Sequence, residues 1–236
     1  MAFKHGKDSK VYINQTNFSS YFNSVDVART ADVAESTTFG KDSKTYITGN
    51  KDGTFSVAGF FDATADATLQ PLLGGSDMVF VLGVDGVDAT DGCSFAKGNI
   101  NNYGVSSAVG DIVATSLDIQ ADSGVYNGTV LENATVTATG SGTARDNTLS
   151  TANGGGAFLI VETASGTTPT IDVKITHSAD DSTYADLVTF TQATTTTAEV
   201  KTVSPNITVN RYLKVEYTVG GTTPSFAVIV GFGRNN

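Results

Sequence analysis

The chain has 236 residues, only 16% of them charged, with 25 Gly, 4 Pro, no Trp and abundant Thr, Ser and Ala, which excludes a charged disordered tail and disfavours a helical bundle. Its formal net charge is -10, its pI is near 4.4 and no Lys/Arg cluster stands out, so binding of a phosphate backbone through a basic patch is excluded as well. Many short polar strands fit best, in one large all-β domain or two small ones.

The stretch GKDSK occurs first within HGKDSKVYI, from His5 to Ile13, and again 34 residues later within FGKDSKTYI, from Phe39 to Ile47. Gly followed by Lys suggests a phosphate loop, but that motif needs a Gly five residues earlier and a Ser or Thr after the Lys. Met1 and Glu35 hold the first place and Asp8 and Asp42 the second, so each copy reads as a turn that launches a strand. The start MAFKHGKDSK lacks the apolar run of a secretory signal, and the lone Cys93 allows no internal disulfide. Synthesis and folding in a reducing cytoplasm is the expectation, which leaves the sequon at Asn133 without meaning. No apolar stretch approaches the roughly 20 residues that span a bilayer.

Val25 and Val27 alternate with Asp26 as in a half-buried strand, and then the pattern dissolves. From Arg29 to Gly53 the residues are small, polar and of both charge signs. Alternation returns in TFSVAGFF, where Phe55, Val57 and Phe61 are predicted to share one face. A polar excursion of about two dozen residues between two strands is uncommon in a compact domain unless it is functional or disordered. DATADATLQPLLGG predicts the one helix, capped by Asp62 or Asp66 and stopped by Gly74, with Pro71 keeping it short or kinked. Strands follow at MVFVLGV, CSFAKGNI, GDIVATSLDIQA and VLENATVTAT, separated by turns such as Asp85-Gly86 and Asp91-Gly92.

GSGTARDNTLSTANGGG, from Gly140 to Gly156, reads as a connector, which divides the chain into 1–140 and 141–236. The part through residue 150 holds 9 basic against 17 acidic side chains, so most of the acidity lies there. Beyond the connector, Ile171, Val173 and Ile175 share a face, Leu213, Val215, Tyr217 and Val219 alternate with Lys214 and Glu216, and SFAVIVGFG is apolar on both faces. That pattern predicts a small β-sandwich with one central strand buried on both sides, able to fold independently.

Catalytic chemistry has little to build on. His5 and His177 are far apart, His177 continuing the apolar face of its strand, and neither zinc spacing nor a nucleophile elbow is present. Asp180 and Asp181 with Asp186 could hold calcium or make a solvated hairpin turn, and the spaced ligands of a dedicated calcium loop are missing. Tyr184 and Tyr212 are candidates for stacking on a sugar, with rim packing as the plainer reading. No cofactor, metal or catalytic residue is expected.

The segments FGKDSKTYITGNKDGTFSVAGFFD, SYFNSVDVARTADVAESTTFG and NYGVSSAVGDIV resemble the tail tube (major tail) proteins of long-tailed double-stranded DNA bacteriophages, across most of the first 140 residues. The segments ITHSADDSTYADLVTFTQ and NRYLKVEYTVGGTTPSFAVIVGFGR resemble the β-sandwich extension that some of them carry. The resemblance implies an all-β fold: a tail-tube sandwich or barrel with a long hairpin arm at about 29–53 and one short helix, then a small C-terminal sandwich on the outside. It further implies a structural virion protein made in the bacterial cytoplasm, not an enzyme. Its subunits would form stacked, usually hexameric rings that meet other tail proteins, and DNA would pass through the lumen without specific binding. An acidic chain agrees with such a lumen. The arm is expected to order against neighbouring subunits. Val33, Phe39, Tyr46 and Ile47 would anchor it there, while Arg29, Glu35, Lys41, Asp42 and Lys44 set register. A minor tail protein or an adhesin gripping a host-surface glycan through its second domain is the alternative.

Overall fold

Gly, Asp and Ser make the first GKDSK the turn they favour. In the computed structural model, which describes residues 5–235, Gly6–Asp8 form one 3-10 turn capped by the His5 ring, whose Nδ1 accepts from the Lys7 amide at 3.1 Å. Residues 1–4 of the MAFKHGKDSK reading lie outside the described part. Strand β1 (Lys10–Ile13) follows at once, then β2 (Thr16–Asn17), β3 (Phe22–Glu35) and β4 (Tyr46–Phe60). Asp62 caps helix α1 (Ala63–Leu69) by accepting from the Thr64 and Ala65 amides at 2.8 and 3.1 Å. Pro71 sits in a separate 3-10 turn, Gln70–Leu72, where its missing N–H costs nothing, and Gly74 leaves the helix region at φ +76°. No helix among the described residues is long and apolar enough to cross a membrane.

Strands β5 (Met78–Gly83), β6 (Gly92–Ser106) and β7 (Ala114–Val136) come next, then the short β8 (Gly140–Ser141) and β9 (Arg145–Asp146). Strands β10 (Gly155–Ser178), β11 (Ala185–Thr189), β12 (Thr197–Val203) and β13 (Tyr212–Arg234) complete an all-β, antiparallel protein. GDIVATSLDIQA and VLENATVTAT, predicted as separate strands, are one strand, because Ser123 and Gly124 take positive φ (66° and 85°) without turning the chain back. Phe61 falls beyond the end of β4 and is exposed, and Gly59 takes the third buried position after Phe55 and Val57. A Cβ there would lie 2.0 Å from the Tyr21 carbonyl oxygen, so only Gly fits.

The chain forms two compact units, and they do not part at residue 140. One holds the N-terminal segment through Ser19, Val79–Phe95 and the chain from Tyr126 onward; the other holds Ser20–Met78 and Ala96–Val125. The expected boundary differs because the sandwich takes strands from distant sequence. In the first unit β10 and β13 pair along their whole lengths, from Gly155 opposite Arg234 to Ser178 opposite Tyr212. Leu159, Val161, Val228 and Val230 face a core shared with Ile171, Val173 and Leu213. Phe158, Ile160 and Ile229 face the opposite way, into a second core made with Tyr12, Val79, Val81, Phe95 and Val130. Strands buried on both faces read as continuous apolar runs, as SFAVIVGFG does.

The presumed connector is laid along the outer edge of β13. Thr129–Val136 of β7 pair with Phe226–Phe232, β8 with Glu216 and Tyr217, and β9 with Tyr212 and Leu213. The Asp146 carboxylate accepts twice from the Arg211 guanidinium, at 2.6 and 2.5 Å, and the Arg145 Nε donates to the Leu131 carbonyl at 3.2 Å.

Midway along β10 and β13 the same bend occurs twice, at Gly166-Thr167-Thr168-Pro169 and at Gly221-Thr222-Thr223-Pro224. The two bends pair with each other, Thr167 opposite Thr222. In both, Gly and the second Thr have positive φ: 123° and 48° in the first, 101° and 49° in the second. A Cβ on Gly166 would meet the Thr223 carbonyl oxygen at 2.8 Å, and one on Gly221 would meet that of Thr168 at 2.6 Å.

Candidate functional site

The second unit carries two surfaces with functional character. The first is the arm. Strands β3 and β4 pair from Phe22 opposite Gly59 out to Glu35 opposite Tyr46, so the polar excursion is a regular two-stranded ribbon. Arg29 lies opposite Gly53 at its base. Val33 faces Thr48, Ala34 faces Ile47 and Glu35 faces Tyr46, and directly opposed residues share a side of the ribbon. Val33, Glu35 and Tyr46 therefore stand on one side and Ile47 on the other. Glu35 pairs with Lys44 at 2.9 Å, and the Ser36 amide donates to the Thr45 carbonyl at 2.8 Å, closing the ribbon before the turn. That turn contains Phe39, the second GKDSK and Lys41 and Asp42, which have no ion-pair partner among the described residues. Phe39 is fully exposed at 108%, and Val33, Tyr46 and Ile47 are each more than half exposed.

The second surface is the polar face of the sheet from which the arm extends. Thr54–Phe60 of β4 pair with Ala114–Gln120 of β7. Phe55, Val57, Leu117 and Ile119 are buried on one side, and Ser56, Asp118 and Gln120 alternate with them on the other. Ser56 lies opposite both Asp26 of β3 and Asp118 of β7, which makes a row across three strands. Ser56 Oγ donates to one oxygen of Asp118 at 2.7 Å and Asn102 Nδ2 to the other at 2.8 Å. Gln120 Nε2 donates to Asp52 at 2.5 Å, as does the Gly53 amide at 2.7 Å. These carboxylates are held by neutral donors, and none of Asp26, Asp52 and Asp118 has an ion-pair partner among the described residues. The face is anionic and carries its own hydrogen bonding. The cue in the sequence was the Thr/Ser/Ala alternation of TFSVA against SLDIQ, which apolar periodicity passes over.

The bonds from Asn102, and secondarily from Ser56, hold the Asp118 carboxyl below its ordinary range, against slight desolvation. A carboxylate with a lowered folded pKa adds stability that is complete above its unfolded value, about 3.9, and is lost as pH falls through the folded value. Asn102→Ala is therefore expected to raise the Asp118 midpoint, read by carbon NMR of the carboxyl group, and to narrow the stability difference from the parent as the pH falls into strong acid. An unchanged midpoint would contradict the assignment of the cause.

The other residues singled out in the sequence lie in the first unit and do not converge. His177 Nδ1 accepts from the Asn210 amide at 3.2 Å, and burial, with Arg234 nearby, holds its pKa down. Asp180 is exposed and folds back on its own turn, accepting from the Ser182 and Thr183 amides at 3.0 Å each and from Ser178 Oγ at 2.8 Å. Asp186 is engaged by Lys174 at 2.7 Å. No group of three His, Cys, Asp or Glu among the described residues could hold a metal ion. The Lys214 ammonium lies 3.8 Å from the Tyr184 ring centre, and the Arg211 guanidinium 4.9 Å from that of Tyr212.

No family model matches the chain, and no curated protein matches it. Several solved structures overlay on it in part. A chain from the virion of a native gene transfer agent particle matches at 12% identity and TM-score 0.42, over 52% of this chain and 97% of its own. The SPP1 tail tube matches at 15% identity and TM-score 0.43, over 55% of this chain and 81% of its own. The SPP1 Dit protein, described as a paradigm of the hub adsorption apparatus of phages infecting Gram-positive bacteria, matches at 12% identity and TM-score 0.39, over 95% and 98%.

Proposed function

We propose that the chain is a structural subunit of a long-tailed phage tail tube, assembling into stacked, hexameric rings whose lumen is the conduit for DNA ejection. The observation that carries this reading is the row of Asp26, Ser56 and Asp118, backed by Asp52 and Gln120. A surface that DNA must slide past has to repel phosphates without presenting a cation that would hold them. Carboxylates tied down by serine and amide groups do this, and the bonds to Asp118 favour its charged form. The sheet also has a partner-seeking edge, because among the described residues β3 pairs only with β4, and a closed ring removes such edges. The resemblance of the arm and helix segments to tail tube proteins points the same way. On this reading the arm reaches a neighbouring ring, Val33, Phe39, Tyr46 and Ile47 supplying contact area and Arg29, Glu35, Lys41, Asp42 and Lys44 the register. The subunit is made in the host cytoplasm, and its partners are further copies and other tail proteins. The adhesin alternative has less support, since a cation already occupies a face of each candidate ring, Tyr184 and Tyr212.

Light scattering and negative-stain imaging of the purified full chain test this reading. Rings or longer stacks are expected at micromolar concentration without any ligand. A species that stays monomeric across a wide range of concentration and salt would overturn it.

A further inference from the structure

The second unit exposes a second apolar patch, at the opposite end of β4 from the arm. Where β4 ends, the Phe61 amide donates to the Val113 carbonyl at 2.9 Å and Phe60 lies opposite Ala114, so this strand end sits beside the β6–β7 turn. That turn, residues 107–113, places Val109 and Ile112 in solvent at 109% and 70% exposure, with Val105 and Phe60 about half exposed beside them. The Asp111 carboxylate in the same turn has no ion-pair partner among the described residues. Tyr46 begins β4 and Phe60 ends it. A strand of that length spans about 46 Å at roughly 3.3 Å per residue. Each copy thus carries an apolar tip with Lys41 and Asp42 at one end and an apolar turn with Asp111 at the other, none of the three having an ion-pair partner among the described residues. Both patches are exposed, and contiguous exposed apolar patches mark interaction surfaces.

We propose that the arm tip of one copy seats on the β6–β7 turn of the next copy, Phe39 against Val109 and Ile112 with Lys41 facing Asp111. The occupant is a second copy of this chain because Lys41 at the tip and Asp111 at the turn are opposite in charge and because a head-to-tail contact covers both patches on every internal copy. A heterologous contact of that kind propagates, which suits a stack. This inference rests on the tube reading and names the surface that receives the arm.

The test uses the full chain and reads the protein concentration at half-assembly. Lys41→Asp and Asp111→Lys are each expected to raise it about threefold or more, the scale of an exposed ion pair turned into a repulsion. The double variant is expected to return close to the parent, and Phe39→Asp to raise the concentration about tenfold or more. A Phe39→Cys, Val109→Cys variant should form disulfides between copies in assembled tubes, with the native Cys93 too deeply buried to compete. Single variants that assemble like the parent, a double variant that stays impaired, tubes without the cross-link, or a closed cross-linked dimer would each overturn the inference and leave the tube reading standing. A parent protein that never assembles would overturn both.

Discussion

Residues 141–236 expressed alone are expected to give no cooperative unfolding transition and to bind a hydrophobic dye, although they contain most of the sandwich strands. Cutting at 140 removes Tyr12, Val79, Val81, Phe95 and Val130, which cover Phe158, Ile160 and Ile229. It also removes Leu131 and Val136 from the other core and the β7 segment that pairs with Phe226–Phe232. Burying one large apolar side chain contributes about 1.5–3 kcal/mol, so uncovering Phe158, Ile160 and Ile229 alone forfeits about 5–9 kcal/mol. That is comparable with the whole stability of a typical domain, about 5–15 kcal/mol. The intact chain is expected to melt cooperatively by circular dichroism, and so is a variant whose arm, residues 29–53, is replaced by a short turn. A fragment that melts cooperatively within a few degrees of the intact chain would restore the boundary at 140.

Replacing Gly221 or Gly166 by Ala is expected to cost about 3 kcal/mol or more, a large effect for a single methyl group. At φ +101° and +123° an L side chain is strained by about 1–3 kcal/mol before any contact is considered. The added Cβ then presses on backbone rather than on a side chain that could rotate away, the Thr168 carbonyl for Gly221 and the Thr223 carbonyl for Gly166. Relief requires separating two strands buried in both cores of the sandwich at one end and in one core at the other. Urea denaturation gives the measurement, with Gly140→Ala as the control, since nothing lies within 4 Å of a Cβ there. A shift below about 0.5 kcal/mol, the range of ordinary surface changes, would show that the bends yield easily.

What was legible in the sequence is what periodicity and capping record. Asp62 caps the helix because its side chain reaches two free amides, and Ile171, Val173 and Ile175 share a buried face because strands alternate. The length of the arm was legible from its polarity, whereas its pairing was not, because an exposed ribbon has no apolar alternation to report. The domain boundary was misread for a related reason. Gly140–Gly156 has linker composition, but β8 and β9 are fixed by backbone pairing and by the Asp146–Arg211 bridge, which composition does not reveal. The duplicated Gly-Thr-Thr-Pro was visible as letters, but its meaning lies in two bends 55 positions apart pressing on each other. The polar row at the site escaped notice because each member, Asp26, Ser56 and Asp118, is an unremarkable strand residue until three strands align them.

The covering of the outer edge of β13 bears on how many wrong structures a crowded solution of this chain could make. An uncovered strand of that length would accept any extended segment of another copy and seed an irregular aggregate. With β7, β8 and β9 laid along it in succession, both ends of that edge are taken, and what stays open is mainly the bend around Gly221, which is a poor template for a straight strand. Growth from this edge is thereby discouraged at the nucleation step. If every copy must add in one orientation to build a straight, uniform polymer, closing off the competing nuclei matters as much as strengthening the correct contact, and on this edge the chain does it with the end of β7 and two strands of two residues each.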